Sequence, residues 1–299
     1  MYILFALLTF ACWGVADLFY KKGNTSDSEY DHLKTGIFVG VVMGIHATIY
    51  MIVKGLTIDV VSMLKYLPIS LLYISSMVIG YKGLKYLEVS LSSPIQNTSG
   101  VITSLLLLLV FKEELPFPAY IAFALIFVGI MFLSLTEYNS YKKERNELKK
   151  NMVKNKVVFL TILFPIFYCI LDGLGTFLDS VYLDKLEIME ADMSLICYEY
   201  TFFIYAFITA LYLKHKKETI TIKKEKDKLI ASVLETAGEF FYVFAIAGES
   251  TICASIVGSY CILSFLLGGI VLKEKLTKKQ YFGIALAIIG IIILSILDV

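Results

Sequence analysis

The chain is short of charge, of helix breakers and of reactive side chains. Only 18% of its 299 residues are Asp, Glu, Lys or Arg, against about 25% in soluble domains. The formal net charge is +1, so there is no basic footprint for a polyanion and no nucleic-acid partner is expected. Five Pro leave room for a mostly helical chain. The five Cys (Cys12, Cys169, Cys197, Cys253 and Cys261) lie inside apolar runs without paired spacing, and read as small hydrophobes. No P-loop, HExxH, CxxC pair or GxSxG occurs. Nothing therefore points to ATP hydrolysis, a metal site, a cofactor or a nucleophile, and the chain is not expected to be an enzyme. These shortages exclude a disordered chain and a disulfide-stapled secreted domain.

What the chain has instead is apolar bulk. Hydrophobic residues make up 58% of it, too many for a soluble core of this size. A bilayer core about 30 Å thick needs about 20 apolar residues as a helix. Ten such segments can be drawn: 2–20, 34–53, 66–86, 91–111, 118–136, 157–177, 193–213, 229–247, 251–271 and 280–297. Runs such as Leu105–Phe111 and Ile288–Ile296 are apolar on every face, which favours helices over the alternating strands of a barrel. The first segment has no basic stretch before it and no small-residue cleavage site after it, so it reads as a retained helix rather than a signal peptide. The expected class is an all-α integral membrane protein with the lipid bilayer as its main partner. The charged loops 137–156 and 214–228 read as solvated connections too short to fold alone.

An internal repeat orders these segments. Lys112-Glu113-Glu114-Leu115 matches Lys273-Glu274-Lys275-Leu276 at an offset of 161 residues. At that offset residues 71–136 pair with 232–297, with 16 identities among 66 pairs, including Glu88/Glu249, Tyr120/Tyr281, Gly129/Gly290 and Ser134/Ser295. The first segments align after a six-residue loop difference, setting Trp13-Gly14-Val15-Ala16-Asp17 against Tyr168-Cys169-Ile170-Leu171-Asp172. Residues 1–137 and 157–299 then form two five-helix repeats joined by a charged linker at 138–156. An odd number of helices inverts the second repeat in the membrane, and such inverted repeats place a substrate site near the midplane between the halves.

Paired five-helix halves, the Trp13-Gly14 step and the run Tyr86-Leu87-Glu88-Val89-Ser90-Leu91-Ser92-Ser93-Pro94 resemble the EamA family of the drug/metabolite transporter superfamily. So does the helix that follows, which ends Phe111-Lys112-Glu113-Glu114-Leu115. The resemblance covers residues 2–297. It implies ten helices, alternating access and movement of small metabolites across a cell membrane. Ser255 stands where the first half has Pro94, a departure from the usual pattern.

Of the 27 Lys and Arg, 23 fall on the odd-numbered loops and their helix ends; Lys54, Lys65, Lys112 and Lys185 are on the other side. Cytoplasmic loops collect such residues, so the count puts both termini outside, whereas the resemblance implies both inside.

The exceptions to the apolar pattern carry the functional reading. Asp17, His46, Asp172, Glu199, Glu235 and Glu239 lie within the segments with no Lys or Arg at comparable depth. An ionisable group at the centre of a spanning helix costs roughly 2.5–3.5 kcal/mol on insertion, so it usually has a partner or a task. Rise per residue puts Asp172, Glu199 and Glu239 on the side of the 178–192 loop, Glu235 one turn deeper and Asp17 near the opposite surface. The expectation is an acidic half-cavity built mostly from the sixth, seventh and eighth segments, loosened by Gly173 and Gly175. One reading has these carboxylates exchange protons as the cavity alternates. Another has them bind an organic cation or amine, with Tyr168, Tyr198, Tyr200, Tyr242 and Tyr260 adding cation–π attraction and Trp13 lining the site. A third leaves them protonated and bonded to neighbouring helices. A neutral or zwitterionic substrate, or a membrane sensor or scaffold that transports nothing, fits the same residues.

Gly36, Gly40 and Gly44 recur every four residues, a spacing that lets helices approach closely. Contact within the bundle is the first reading and a homodimer the second. Ser75, Ser76, Gln96 and Asn97 serve either substrate or packing, and Asn24-Thr25-Ser26 matches a common glycosylation sequon.

Overall fold

The computed structural model describes residues 1–24, 28–84, 96, 98–112, 114–148, 155–222, 225–271 and 277–297. Glu88, Pro94, Asn97, Thr25, Ser26 and the Lys273–Leu276 copy of the repeated tetrapeptide lie outside them. The described residues are helical and contain no strand. In chain order the helices are α1 Tyr2–Gly23, α2 Asp31–Lys54, α3 Val60–Leu84, α4 Thr98–Phe111, α5 Phe117–Leu148 and α6 Asn155–Ser180. A π-turn, Val181–Lys185, is followed by α7 Ala191–His215, α8 Lys226–Val257, α9 Cys261–Val271 and α10 Lys278–Ile296.

Among the described residues seven helices are long and apolar enough to cross a membrane: Tyr2–Gly23, Asp31–Lys54, Val60–Gly83, Leu163–Lys185, Ala191–His215, Lys226–Val257 and Lys278–Ile296. Thr98–Phe111, Phe117–Leu133 and Cys261–Val271 are apolar but shorter. Each segment drawn from the sequence overlaps a helix. Their limits differ in informative ways. α5 continues to Leu148 through residues expected to form a loop; Lys, Glu and Arg are good helix formers, so charge there does not end the helix. α6 runs past 177 to Ser180 and into the π-turn. The segments 229–247 and 251–271 are divided where the sequence has them end, and the second is broken again further on. α8 passes through Glu249, whose backbone (φ −159°, ψ 69°) is not helical. The chain then interrupts at 258–260 before α9. At Glu249 the π-turn covers the break: Asp184 accepts from the Ser250 backbone N–H (3.1 Å) and hydroxyl (2.5 Å). A freed helix start needs such a partner.

The ends are set by local chemistry. Gly55 sits at φ +66°, with Leu56 N–H bonded back to Met51 C=O, which stops α2. Asp59 accepts from the Ser62 N–H (2.8 Å) and hydroxyl (2.7 Å), opening α3. Those bonds hold its carboxyl below the usual range. Thr277 and Gln280 form a reciprocal capping box at α10.

The main helix pairs always join one helix before the charged linker to one after it: α1 with α8, α2 with α7, α3 with α6 and α5 with α10. Apolar side chains such as Ile45, Ile49, Phe207 and Ile208 face outward. The interior takes small and hydroxylated residues, which let backbones meet. Gly36, Gly40 and Gly44 are used in this way inside the bundle. A Cβ on Gly40 would lie 2.4 Å from Phe202 C=O and 2.6 Å from Ala206 Cβ on α7. Gly40→Ala is expected to lower stability by about 1–3 kcal/mol, the range for overpacking a filled contact; thermal unfolding in detergent measures it.

Candidate functional site

A cavity opens between the two halves, lined by side chains of α1, α3, α4, α6, α7 and α8 and by Tyr260 beyond α8. Its volume is about 80 Å³. A single water takes about 10–15 Å³ of such space, so the cavity suits a small metabolite rather than a peptide or lipid.

Four carboxylates reach it: Asp17 from α1, Asp172 from α6, and Glu235 and Glu239 from α8. No Lys, Arg or His lines it among the described residues. Asp172 accepts from Ser99 (2.7 Å) and is within hydrogen-bonding reach of Tyr168. Glu235 lies one turn from Glu239 and is held by the Tyr20 hydroxyl. The Trp13 indole N–H bonds the Glu235 backbone carbonyl at 3.2 Å. Glu239 is 5% exposed and makes no hydrogen bond to a described residue. Its acceptor capacity is therefore directed at the cavity.

The remaining wall is aromatic. Trp13 tilts against Tyr242 (5.3 Å between ring centroids) and edges Tyr260 (5.9 Å). Tyr73 and Tyr242 share a 2.6 Å hydrogen bond, and Tyr73 edges Tyr198 at 5.8 Å. Tyr20 and Tyr81 pack at 4.8 Å. Eight aromatic rings among the described residues face the cavity. Close ring-to-ring contacts and hydroxyl-to-hydroxyl bonds fix the wall in place before any ligand arrives. Gly238 permits this: a Cβ there would sit 2.4 Å from the Trp13 ring.

The expected site residues divide. Trp13, Asp17, Tyr168, Asp172, Tyr198, Glu235, Glu239, Tyr242 and Tyr260 meet in one cavity. Glu199 and Tyr200 do not. Glu199 points between α2 and α7, where both its oxygens lie 2.8 Å from His46 Nδ1. Tyr200 bonds Thr48 at 2.9 Å on the outer side. The neighbour of Glu199, Tyr198, faces the cavity instead, because adjacent residues on a helix point about 100° apart. Asp17 is not isolated at the opposite surface either; it shares the cavity with Asp172. The site is thus built by both halves, not mostly by the second.

Several lining residues were not singled out in the sequence, namely Tyr20, Tyr73, Met77, Tyr81, Ser99 and Thr176. One signal was available: Tyr81 and Tyr242 are an identical pair at the 161-residue offset. Asp179 was also missed. It is fully buried just past the drawn end of the sixth segment, accepts from Tyr66 at 2.5 Å and leaves its second oxygen unpartnered among the described residues.

Comparison with known proteins agrees with this architecture. A solved structure titled only as the crystal structure of a protein superposes with a TM-score of 0.66 at 13% identity, covering 98% of this chain and 95% of that one. At that identity the likeness concerns the fold alone. No curated protein matches the sequence. The sequence pattern of the EamA-like transporter family matches residues 1–135 and again 161–296. The chain belongs to the EamA-like transporter family, and through it to the drug/metabolite transporter superfamily.

Proposed function

We propose that this multi-pass membrane transporter moves a small organic cation or amine by alternating access, coupled to protons, across the plasma membrane. The observation that carries the reading is the cavity wall: four carboxylates and eight aromatic rings, with no basic side chain among the described lining residues. Negative charge and π-faces both attract an ammonium group, and the attraction strengthens away from water. A sugar or an amino acid would leave most of that negative charge unmatched, and a carboxylate substrate would be repelled.

The mechanism takes the chain as ten spans in two inverted five-helix repeats, 1–137 and 157–299 with a linker at 138–156. The family pattern matches two stretches that follow these halves. The helix pairing fits a two-fold axis in the membrane plane: a swap of halves turns α1·α8 into α6·α3 and returns α2·α7 and α5·α10 to themselves. Repeat-related residues also meet across the cavity, Trp13 with Tyr168, Asp17 with Asp172 and Tyr81 with Tyr242. A site on such an axis can be exposed to either side by rocking one half on the other.

Trp13 is the only Trp in the chain and lines the cavity, so its fluorescence reports occupancy. Titration of the purified protein with methylammonium through tetraethylammonium is expected to change that fluorescence saturably, with neutral isosteres of the same size silent. Equal responses to the neutral isosteres, or none to any ammonium ion, would reject a cation site.

A further inference from the structure

Outside the cavity the bundle holds a second acidic site. Glu199 is fully buried, eight residues into α7, roughly 12 Å from its start. Its two oxygens share His46 Nδ1 at 2.8 Å each, and the His46 side chain is 31% exposed. The imidazole packs against Tyr50 (5.8 Å, stacked) and Phe240 (5.9 Å, edge-on), which also touch each other. Towards the membrane surface, Tyr50 donates to Asp192 at 2.6 Å, and Lys54 stands 3.7 Å from the same carboxylate. A graded row of polar groups thus runs from the exposed end of the α2–α7 seam down to Glu199.

We propose that His46 and Glu199 form a proton-binding latch, separate from the substrate cavity, that ties the two halves together and releases them when its proton count changes. The geometry holds one proton well. With one, an imidazolium faces a carboxylate, or a neutral ring faces a neutral acid, and the charge is matched. Removal of that proton leaves a bare, buried carboxylate against a neutral ring. A second proton leaves an imidazolium against a neutral carboxyl. Either change leaves one unmatched buried charge in place of the matched pair and so loosens the tie between α2 and α7. The seam is tight enough to feel it, since Gly36, Gly40 and Gly44 bring α2 onto α7. The cavity feels it as well: Phe240, against the imidazole, follows Glu239 in α8. The groups around the pair are Tyr50 and Lys54 on α2, Asp192, Tyr198 and Tyr200 on α7, and Glu239 on α8, which acts on Glu199 electrostatically. Only His46 touches Glu199 directly among them.

The latch rests on the transport reading, and its test separates the two. The chain has three His, so histidine-selective ¹⁵N NMR of the full chain in nanodiscs, with His46→Gln identifying the signal, follows the pair without any substrate. Glu199→Gln is expected to displace the His46 titration midpoint by more than one pH unit. In proteoliposomes, Glu199→Gln and His46→Gln are expected to keep the Trp13 response to tetramethylammonium within about threefold. Both should lose accumulation driven by a pH gradient at least tenfold, with only downhill exchange remaining. The double variant His46→Gln/Glu199→Gln, two amides able to bond each other, serves as the folding control by thermal unfolding. An unmoved His46 titration, or gradient-driven accumulation retained in Glu199→Gln, overturns the latch. A displaced titration in a protein whose Trp13 answers no ammonium ion upholds the latch and rejects the cation reading.

Discussion

Glu239→Gln raises the Kd for tetramethylammonium about 10–100-fold, read by Trp13 fluorescence, while the protein stays folded. The side chain faces the cavity from the middle of α8 and is spent on no hydrogen bond to a described residue. The amide keeps its shape and removes its charge. Tetramethylammonium has no N–H, so the loss is Coulombic: unit charges about 6–10 Å apart at an effective dielectric of about 20 attract by about 1.7–2.8 kcal/mol, and about 1.4 kcal/mol is tenfold in affinity. Asp172→Asn should cost less, because Ser99 and Tyr168 already occupy the Asp172 carboxylate. A proton and an ammonium ion compete for the same oxygens, so acidification should weaken binding to the native chain and weaken it less in Glu239→Gln. Native affinity in the glutamine variant at every pH would remove Glu239 from the site and leave the acid with a packing role.

Lys228→Met lowers stability by about 3–5 kcal/mol, the cost of breaking a buried charge pair from one side. Lys228 is fully buried at the start of α8. Its ammonium bonds Asp31 on α2 at 3.1 Å and Glu225 in the turn before α8. Its stem packs where a Cβ on Gly23 would meet Lys228 Cγ at 2.8 Å, so the end of α1 closes on it. Methionine preserves that stem and deletes the charge, and two carboxylates then face each other without the ammonium. The apparent melting temperature in detergent should fall by on the order of 6–20 °C, at about 2–4 °C per kcal/mol. Lys228→Met combined with Asp31→Asn should recover at least half of the loss. No recovery would mean that Lys228 acts through packing alone. Beside this cluster, Lys34 pairs with Glu218 at 3.0 Å and keeps that carboxyl below its usual range. The α1–α2 and α7–α8 connections are therefore tied by ion pairs at one end of the bundle.

Helix positions were legible because lipid removes most of the ambiguity of a sequence. A segment crossing a bilayer must be apolar over its whole length and must bond its own backbone, so composition alone locates it. Helix ends were less legible. α5 ran on through charged residues that water tolerates in a helix as readily as in a loop. α8 crossed a break at Glu249 because Asp184, far away in sequence, supplies the missing partner. The acids Asp17, Asp172, Glu235 and Glu239 were legible through their cost in a membrane, and the repeat tied Asp17 to Asp172. Tyr20, Tyr73 and Tyr81 of the aromatic wall were not, since a chain with 20 Tyr and 21 Phe gives no reason to prefer one ring over another.

The shortage of charge and the apolar excess by themselves determined a helical membrane protein of two related halves whose few interior acids need an explanation. Sequence is enough for that because insertion energy depends on residue type and on length, both of which are local. Only the tertiary structure decided which acids share a space. Glu199 and Glu239 look alike as carboxylates one and a half turns from a helix end or deeper. Yet one turns towards His46 in the α2–α7 seam and the other towards the cavity. The direction of a side chain around a helix is set by the neighbours that α2 and α3 place beside it, and no single segment carries that information.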